Sequence, residues 1–217
     1  MKTDPERFIL DNTALSTPPH VPEIALHLAD EAHELWLKTE DELEAIGLPP
    51  PFWAFAWAGG QGLARHILDN PDLVAGKMVL DFASGSGLVA IAAAMSGARS
   101  VLAADIDPWA ATAARLNAGA NTVDLDITAA DLVGTDDGWD VVLAGDVFYD
   151  RSMTDLVLPW FRSLSRRGAR MLVGDPGRAY CPRDGMELLA TYQVAVTRAL
   201  EDSEIKRTSV YRLTECR

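Results

Sequence analysis

Between Lys77 and Gly174 the chain alternates short apolar runs with helical segments, and this alternation restricts its fold more than any other feature. The runs are Lys77–Phe82, Ser100–Ala104, Thr122–Ile127, Trp139–Ala144 and Ala169–Gly174. Between them lie helical stretches at Gly87–Met95, from the Asp107-Pro108 cap through Asn117, and at Thr154–Leu164. Successive strands separated by helices return in parallel, so the pattern predicts a mostly parallel sheet with helices on both faces. The unbroken apolar run of Trp139–Ala144 suits a strand buried on both faces. A short helix is predicted near Met186–Ala190. Beyond it, Tyr192–Ala199 and Arg207–Leu213 read as strands with no room for a helix between them. They should close the sheet as an antiparallel hairpin. The expected class is α/β, a Rossmann-like sheet of seven strands.

Upstream, Pro22 suits the first turn of a helix. Ile24, Leu28, Ala32, Leu35 and Leu43 then recur at helical spacing, with acidic residues on the other faces, until Gly47 and Pro49-Pro50-Pro51. Residues 1–50 are therefore expected to be a helical extension, and 51–217 the sheet domain. Lys plus Arg total 19 and Asp plus Glu total 32, a net charge of −13. Such a surface repels phosphate backbones, so no nucleic-acid partner is expected, and a basic protein surface suits it better. The four histidines lack ligand spacing, and the two cysteines form neither a disulfide framework nor a metal cluster, so no metal is expected. No secretory leader or membrane-length apolar run is apparent, and a cytoplasmic location is the expectation.

In a doubly wound sheet, ligands bind beyond the carboxyl ends of the strands. The first strand runs into Asp81-Phe82-Ala83-Ser84-Gly85-Ser86-Gly87, whose glycines allow a tight turn into a helix N-terminus. Asp105 follows the second strand, twenty positions beyond Gly85, where an acid can accept two ribose hydroxyls. Asp131 follows the third strand and could accept from an adenine amino group or be a solvated loop carboxylate. The fourth is followed by Asp146-Val147-Phe148-Tyr149 and the fifth by Asp175-Pro176-Gly177-Arg178. The stretch from Gly85 to Ala90 also fits a dinucleotide fingerprint. Asp81 ending the strand, and the little chain left for a substrate domain, favour adenosylmethionine over NAD.

The segments PPHVPEIALHL, FWAFAWAGGQGLARHILDNP, VLDFASGSG, IAAAMSGA, LAADIDP, LAGDVFYD and GDPGR carry a resemblance from about Pro18 to Arg178. The chain resembles the seven-strand S-adenosylmethionine-dependent protein-lysine methyltransferases, and within them bacterial relatives of the electron transfer flavoprotein β-subunit lysine methyltransferase. Ala83 stands where the family's loop has its first glycine. The resemblance implies S-adenosylmethionine as cofactor, held by Trp57, Gly60, Asp81, Ser84, Gly85, Gly87, Asp105, Ile106 and Asp131. It implies Asp146 and Tyr149 as the catalytic pair lining a lysine channel. Trp57 is otherwise a core aromatic, and Asp175–Arg178 a plain turn instead of the pocket mouth. The implied partner is the electron transfer flavoprotein β subunit. The alternatives are a ribosomal-protein lysine, or an idle cofactor-binding module that shields flavoprotein.

Overall fold

The computed structural model describes residues 4–29, 50–196 and 204–214. One sheet of seven strands organises them. Its strands are β3 (Met78–Phe82), β4 (Ser100–Ala104), β5 (Asp126–Thr128), β6 (Val141–Gly145), β7 (Arg170–Asp175), β8 (Met186–Ala195) and β9 (Ile205–Leu213). Their spatial order is β5-β4-β3-β6-β7-β9-β8. The pairs from β5 through β7 are parallel, and β9 lies antiparallel between β7 and β8. The chain winds outward from β3 to β5, then returns to lay β6 against the other side of β3. The crevice for a ligand therefore opens at the carboxyl ends of β3 and β6.

Helices cover both faces. On one, α2 (Ala58–Asp69) and α3 (Leu88–Met95) bury Leu63, Ile67 and Ile91 against Val79, Leu143 and Leu172. Beside them lies α4 (Pro108–Ala120), capped by the Asp107 carboxylate, with Ala114 packed close to Gly87. On the other face, α5 (Arg151–Arg167) buries Trp160, Phe161 and Leu164 against Leu80, Phe82, Val142 and Met171. Successive side chains of β3 alternate between these layers. Asp81 therefore shares the face of Val79, beneath α3.

Two helix expectations are overturned. The segment from Pro22 is not helical in its described part. Instead β2 (Leu26–Leu28) pairs antiparallel with β1 (Ala14–Ser16). The apolar positions 24, 26 and 28 also fit a period of two, and tertiary acceptors decide between the readings. The amides of Ala25 and His27 donate to the side chains of Asn121 and Asn117 on α4, and Asn121 donates back to the Ala25 carbonyl. Those bonds consume backbone groups that a helix would need. Val21, Ile24 and Leu26 then join the same buried cluster as Leu63 and Ile67. The rest of the anticipated helix, including Ala32, Leu35 and Leu43, lies outside the described residues. A short helix, α1 (Pro5–Asn12), capped by Asp4, precedes these strands and was not anticipated.

The helix anticipated at Met186–Ala190 is the start of β8, which pairs with β9 from Met186↔Leu213 onward, with a bulge between Leu188 and Ala190. Pairing with a partner far along the chain overrides the local pattern there. Among the described residues no helix is long and apolar enough to cross a membrane.

Candidate active site

The turn after β3 is built for close approach. Ala83, Gly85 and Gly87 all have positive φ, at 55°, 52° and 80°. Glycine suits position 87 on two counts, since a Cβ there would also lie 3.1 Å from the Ala114 Cβ. Asp81 is buried, and its Oδ2 accepts the Ala90 amide of α3 at 2.9 Å. Burial, opposed by that hydrogen bond and reinforced by nearby Asp105, pushes its pKa up to about 8. Asp81 thus anchors the turn to α3 from below.

Asp105, beyond β4, binds the turn from the other side. Its Oδ2 accepts the Gly85 amide at 2.9 Å and its Oδ1 the Asp107 amide at 3.0 Å. Burial raises its pKa, against those two bonds. Ionised, a carboxylate has about four acceptor positions, so Asp105 retains capacity for hydroxyl donors. Next to it is a cavity of about 90 Å³ lined by Phe82, Ala83, Ala104, Asp105, Ile106, Ala130, Asp131, Val133, Met153 and Leu156. Ile106 is 72% exposed beside this cavity. Asp131 lies at the cavity with its Oδ1 accepting the Val133 amide at 3.0 Å. An apolar slot flanked by carboxylates and a glycine turn matches the chemistry of a nucleoside: a flat base, two ribose hydroxyls and a polar tail. The sequence-nominated Ser84, Gly85, Gly87, Asp105, Ile106 and Asp131 thus fall in the glycine turn or around this cavity.

The second half of the site gathers at the ends of β6 and β7. Asp146 is buried at a φ of 57°. Its Oδ1 accepts Arg178 Nε at 3.0 Å and Nη2 at 2.7 Å, and its Oδ2 accepts the Gly60 amide of α2 at 3.0 Å. Burial raises its pKa to about 6, with Arg178 and the Gly60 amide pulling the other way. Three glycines make this arrangement possible. A Cβ on Gly145 would sit 2.9 Å from the Gly60 Cα, and one on Gly59 or Gly174 would overlap the neighbouring backbone outright. The N-terminus of α2 therefore rests directly on the strand ends.

Around Asp146 stands an aromatic rim. Phe52 lies 5.9 Å from both Trp57 and Tyr149, centroid to centroid, and the Arg178 guanidinium lies 5.8 Å from the Trp57 ring centre. Tyr149 is half exposed. Trp53, by contrast, is buried in the core with Ile9 and Phe55.

The sequence reading missed Phe52 and the joint role of Gly59, Gly145 and Gly174. A signal was present: β6 and β7 end alike in Gly-Asp, at Gly145-Asp146 and Gly174-Asp175. The sequence puts Arg178 in a plain turn or at the pocket mouth and names no partner for it. Its tie to Asp146 joins residues 32 positions apart.

Comparison with known proteins assigns the family. A Xenopus laevis electron transfer flavoprotein beta subunit lysine methyltransferase is 45% identical over 180 residues, covering 82% of this chain and 72% of the relative. The Danio rerio protein of the same name is 38% identical over 217 residues, covering 96% of this chain and 83% of the relative. The chain belongs to the electron transfer flavoprotein beta subunit lysine methyltransferase family. A family model for ribosomal protein L11 methyltransferase also matches residues 65–147. That match takes in the glycine turn, Asp105 and Asp146 but stops before Tyr149 and Arg178. Among solved structures, the SAM-bound magnesium protoporphyrin IX methyltransferase from Synechocystis shares the fold. Its TM-score is 0.53 at 18% identity, covering 71% of this chain and 78% of that one. In this methyltransferase family member, the glycine turn and the Asp146 cluster meet at the same crevice.

Proposed function

We propose that this chain methylates lysine side chains of the electron transfer flavoprotein β subunit, with S-adenosylmethionine as donor. The observation that carries the reading is the Asp146 carboxylate. It is buried at the switch point beside the glycine turn and, among the described residues, has one acceptor position left, in a chain 45% identical to a flavoprotein lysine methyltransferase.

The residues present fit the donor. Asp105 and the cavity beside Ile106 and Asp131 would hold its adenosine. The turn from Ala83 to Gly87, backed by Asp81, and the α2 N-terminus at Trp57 and Gly60 would hold its amino-acid end. When bound, the donor supplies an electrophilic methyl carried on a positive sulfur.

Everything else is positioning by the chain itself. The nucleophile must be a neutral amine, whereas lysine in water has a pKa of ~10.4. Desolvation in the crevice disfavours its charged form. The open acceptor position on Asp146 can take an amine N–H and fix the direction of the lone pair. Tyr149, whose phenol pKa is raised by desolvation, stays neutral and offers an aromatic face to the cation that forms.

The match to the ribosomal protein L11 model reaches Asp146 but leaves out the rim residues Phe52, Trp57, Tyr149 and Arg178, so it favours no ribosomal substrate. The test is intact-mass analysis of purified flavoprotein incubated with this protein and S-adenosylmethionine. One or more methyl increments on the β subunit, lost when candidate lysines are changed to Arg, is the expected result. Cofactor binding without any methyl on protein would instead indicate a shielding module.

A further inference from the structure

A carboxylate beside the reacting amine poses a difficulty. An opposite charge within ~4–6 Å stabilises an ammonium and raises its pKa by about 1–3. A lone Asp146 would therefore hold the substrate in the protonated, unreactive form. We propose that Arg178 neutralises Asp146 so that the carboxylate orients the substrate amine while the amine stays uncharged, a reading that rests on the lysine methylation proposed above.

The geometry supports this division of labour. The two guanidinium contacts with Asp146 fall on one carboxylate oxygen, Oδ1. Among the described residues the other oxygen takes only the Gly60 amide, which leaves it one acceptor position. Arg178 thus cancels the charge of Asp146 from one side and leaves an acceptor on the other. Arginine suits this task because it does not lose its proton at any working pH.

Arg178 is itself held in place. Asp175 Oδ1 accepts the amides of Gly177 at 2.7 Å and Arg178 at 2.8 Å, fixing the turn that carries the side chain. The guanidinium then lies by the Trp57 ring. Both side chains of the pair are largely shielded, at 20% and 11% exposure, so solvent screens their interaction little.

Among the described residues, the other ionisable groups around Asp146 do not supply a competing cation. Asp175, from the end of β7, adds negative charge, raising the pKa of Asp146. Cys181 lies against Asp175, and burial pushes its thiol up to about 12, so it is neutral. From the loop after β6, Tyr149 is neutral too, with Asp105 and Asp150 acting on it. From α2, only the Gly60 amide reaches the carboxylate.

The experiment compares the pH dependence of kcat/KM on flavoprotein for the parent, Arg178→Gln and Arg178→Lys. A carboxyl NMR titration of Asp146 without substrate and calorimetric binding of S-adenosylhomocysteine accompany it. In Arg178→Gln the rising limb should move at least about one pH unit upward, lowering the neutral-pH rate about tenfold or more, with recovery in alkali. The Asp146 carboxyl should titrate higher than in the parent, and S-adenosylhomocysteine should bind equally well. Arg178→Lys keeps the charge but loses the fork, so its limb should stay in place with a lower plateau. A parental limb in Arg178→Gln, or an unmoved Asp146 titration, overturns the proposal while leaving lysine methylation intact. If Arg178→Gln does not fold, a shifted limb in Arg178→Lys overturns it equally. A parent that places no methyl on flavoprotein overturns both readings.

Discussion

Replacing Asp146 by alanine is the obvious test of its role in catalysis, and the structure argues that it would mislead. Three separate costs attend that change. Arg178, largely buried, would lose its carboxylate, and breaking a buried pair costs ~3–5 kcal/mol. The Gly60 amide would lose its acceptor, worth ~1–3 kcal/mol if nothing replaces it. Alanine would also have to hold a φ of 57°, a left-handed conformation costing ~1–2 kcal/mol. These terms are not strictly additive, yet together they approach the whole stability of a typical domain, ~5–15 kcal/mol.

Asparagine avoids most of this. It tolerates the left-handed region, and its carbonyl can still accept from Arg178. Its amide group would then face the Gly60 N–H, a single donor-to-donor mismatch worth ~1–3 kcal/mol. We expect Asp146→Asn to fold and bind S-adenosylhomocysteine like the parent, yet to transfer methyl groups at least ~100-fold more slowly, the cost of a misplaced reactant. Urea unfolding of both variants, calorimetric binding and single-turnover transfer on one preparation provide the measurements. Near-parental turnover in Asp146→Asn would refute the positioning role. Equal stabilities for Asp146→Ala and Asp146→Asn would refute the structural reasoning.

Asp105→Ala should weaken S-adenosylhomocysteine binding about ten- to hundredfold, since hydrogen bonds to a charged group contribute ~1.5–3 kcal/mol, and calorimetric titration reads it directly. Ala83→Gly should hold or raise stability by up to ~1 kcal/mol, because relief of a left-handed alanine outweighs the added entropy of the unfolded glycine. A clear loss of stability on urea unfolding would contradict this. Asp81 yields a pH prediction. Its folded pKa, about 8, lies above the unfolded value, so between about pH 4 and 8 the folded state holds a proton that the unfolded state has lost. Stability therefore falls as pH rises through that window, by at most ~1.4 kcal/mol per pH unit. Asp107 and Asp146, each pushed to about 6, add to this slope only in its lower part. Asp81→Asn should remove the part between pH 6 and 8, and parallel stability curves for variant and parent across that range would disprove it.

Much of the fold was legible because its determinants are local. Ser100–Ala104 is the strand the sequence predicted, Asp107 caps α4, and Gly87 precedes α3. The acids ending β3 and β4 could be found for the same reason: in a parallel sheet the ligand side follows from chain direction. Where the reading failed, a distant partner had intervened. The pattern at 24 and 28 fits helix and strand alike, and pairing with β1 together with Asn117 and Asn121, ninety and more positions away, chooses the strand. Met186–Ala190 is strand because β9 lies beside it.

The same division runs through the site. The residues alone dictate that a glycine turn follows one strand and that carboxylates, Asp146 among them, follow its neighbours. They could not determine the charge state or partners of those carboxylates, because these depend on burial and on groups brought in by the fold. Asp146 meets Gly60 across 86 positions and Arg178 across 32. The first meeting requires the α2 backbone to lie against Gly145 and Gly174, a contact whose closeness exists only once helix and sheet have packed.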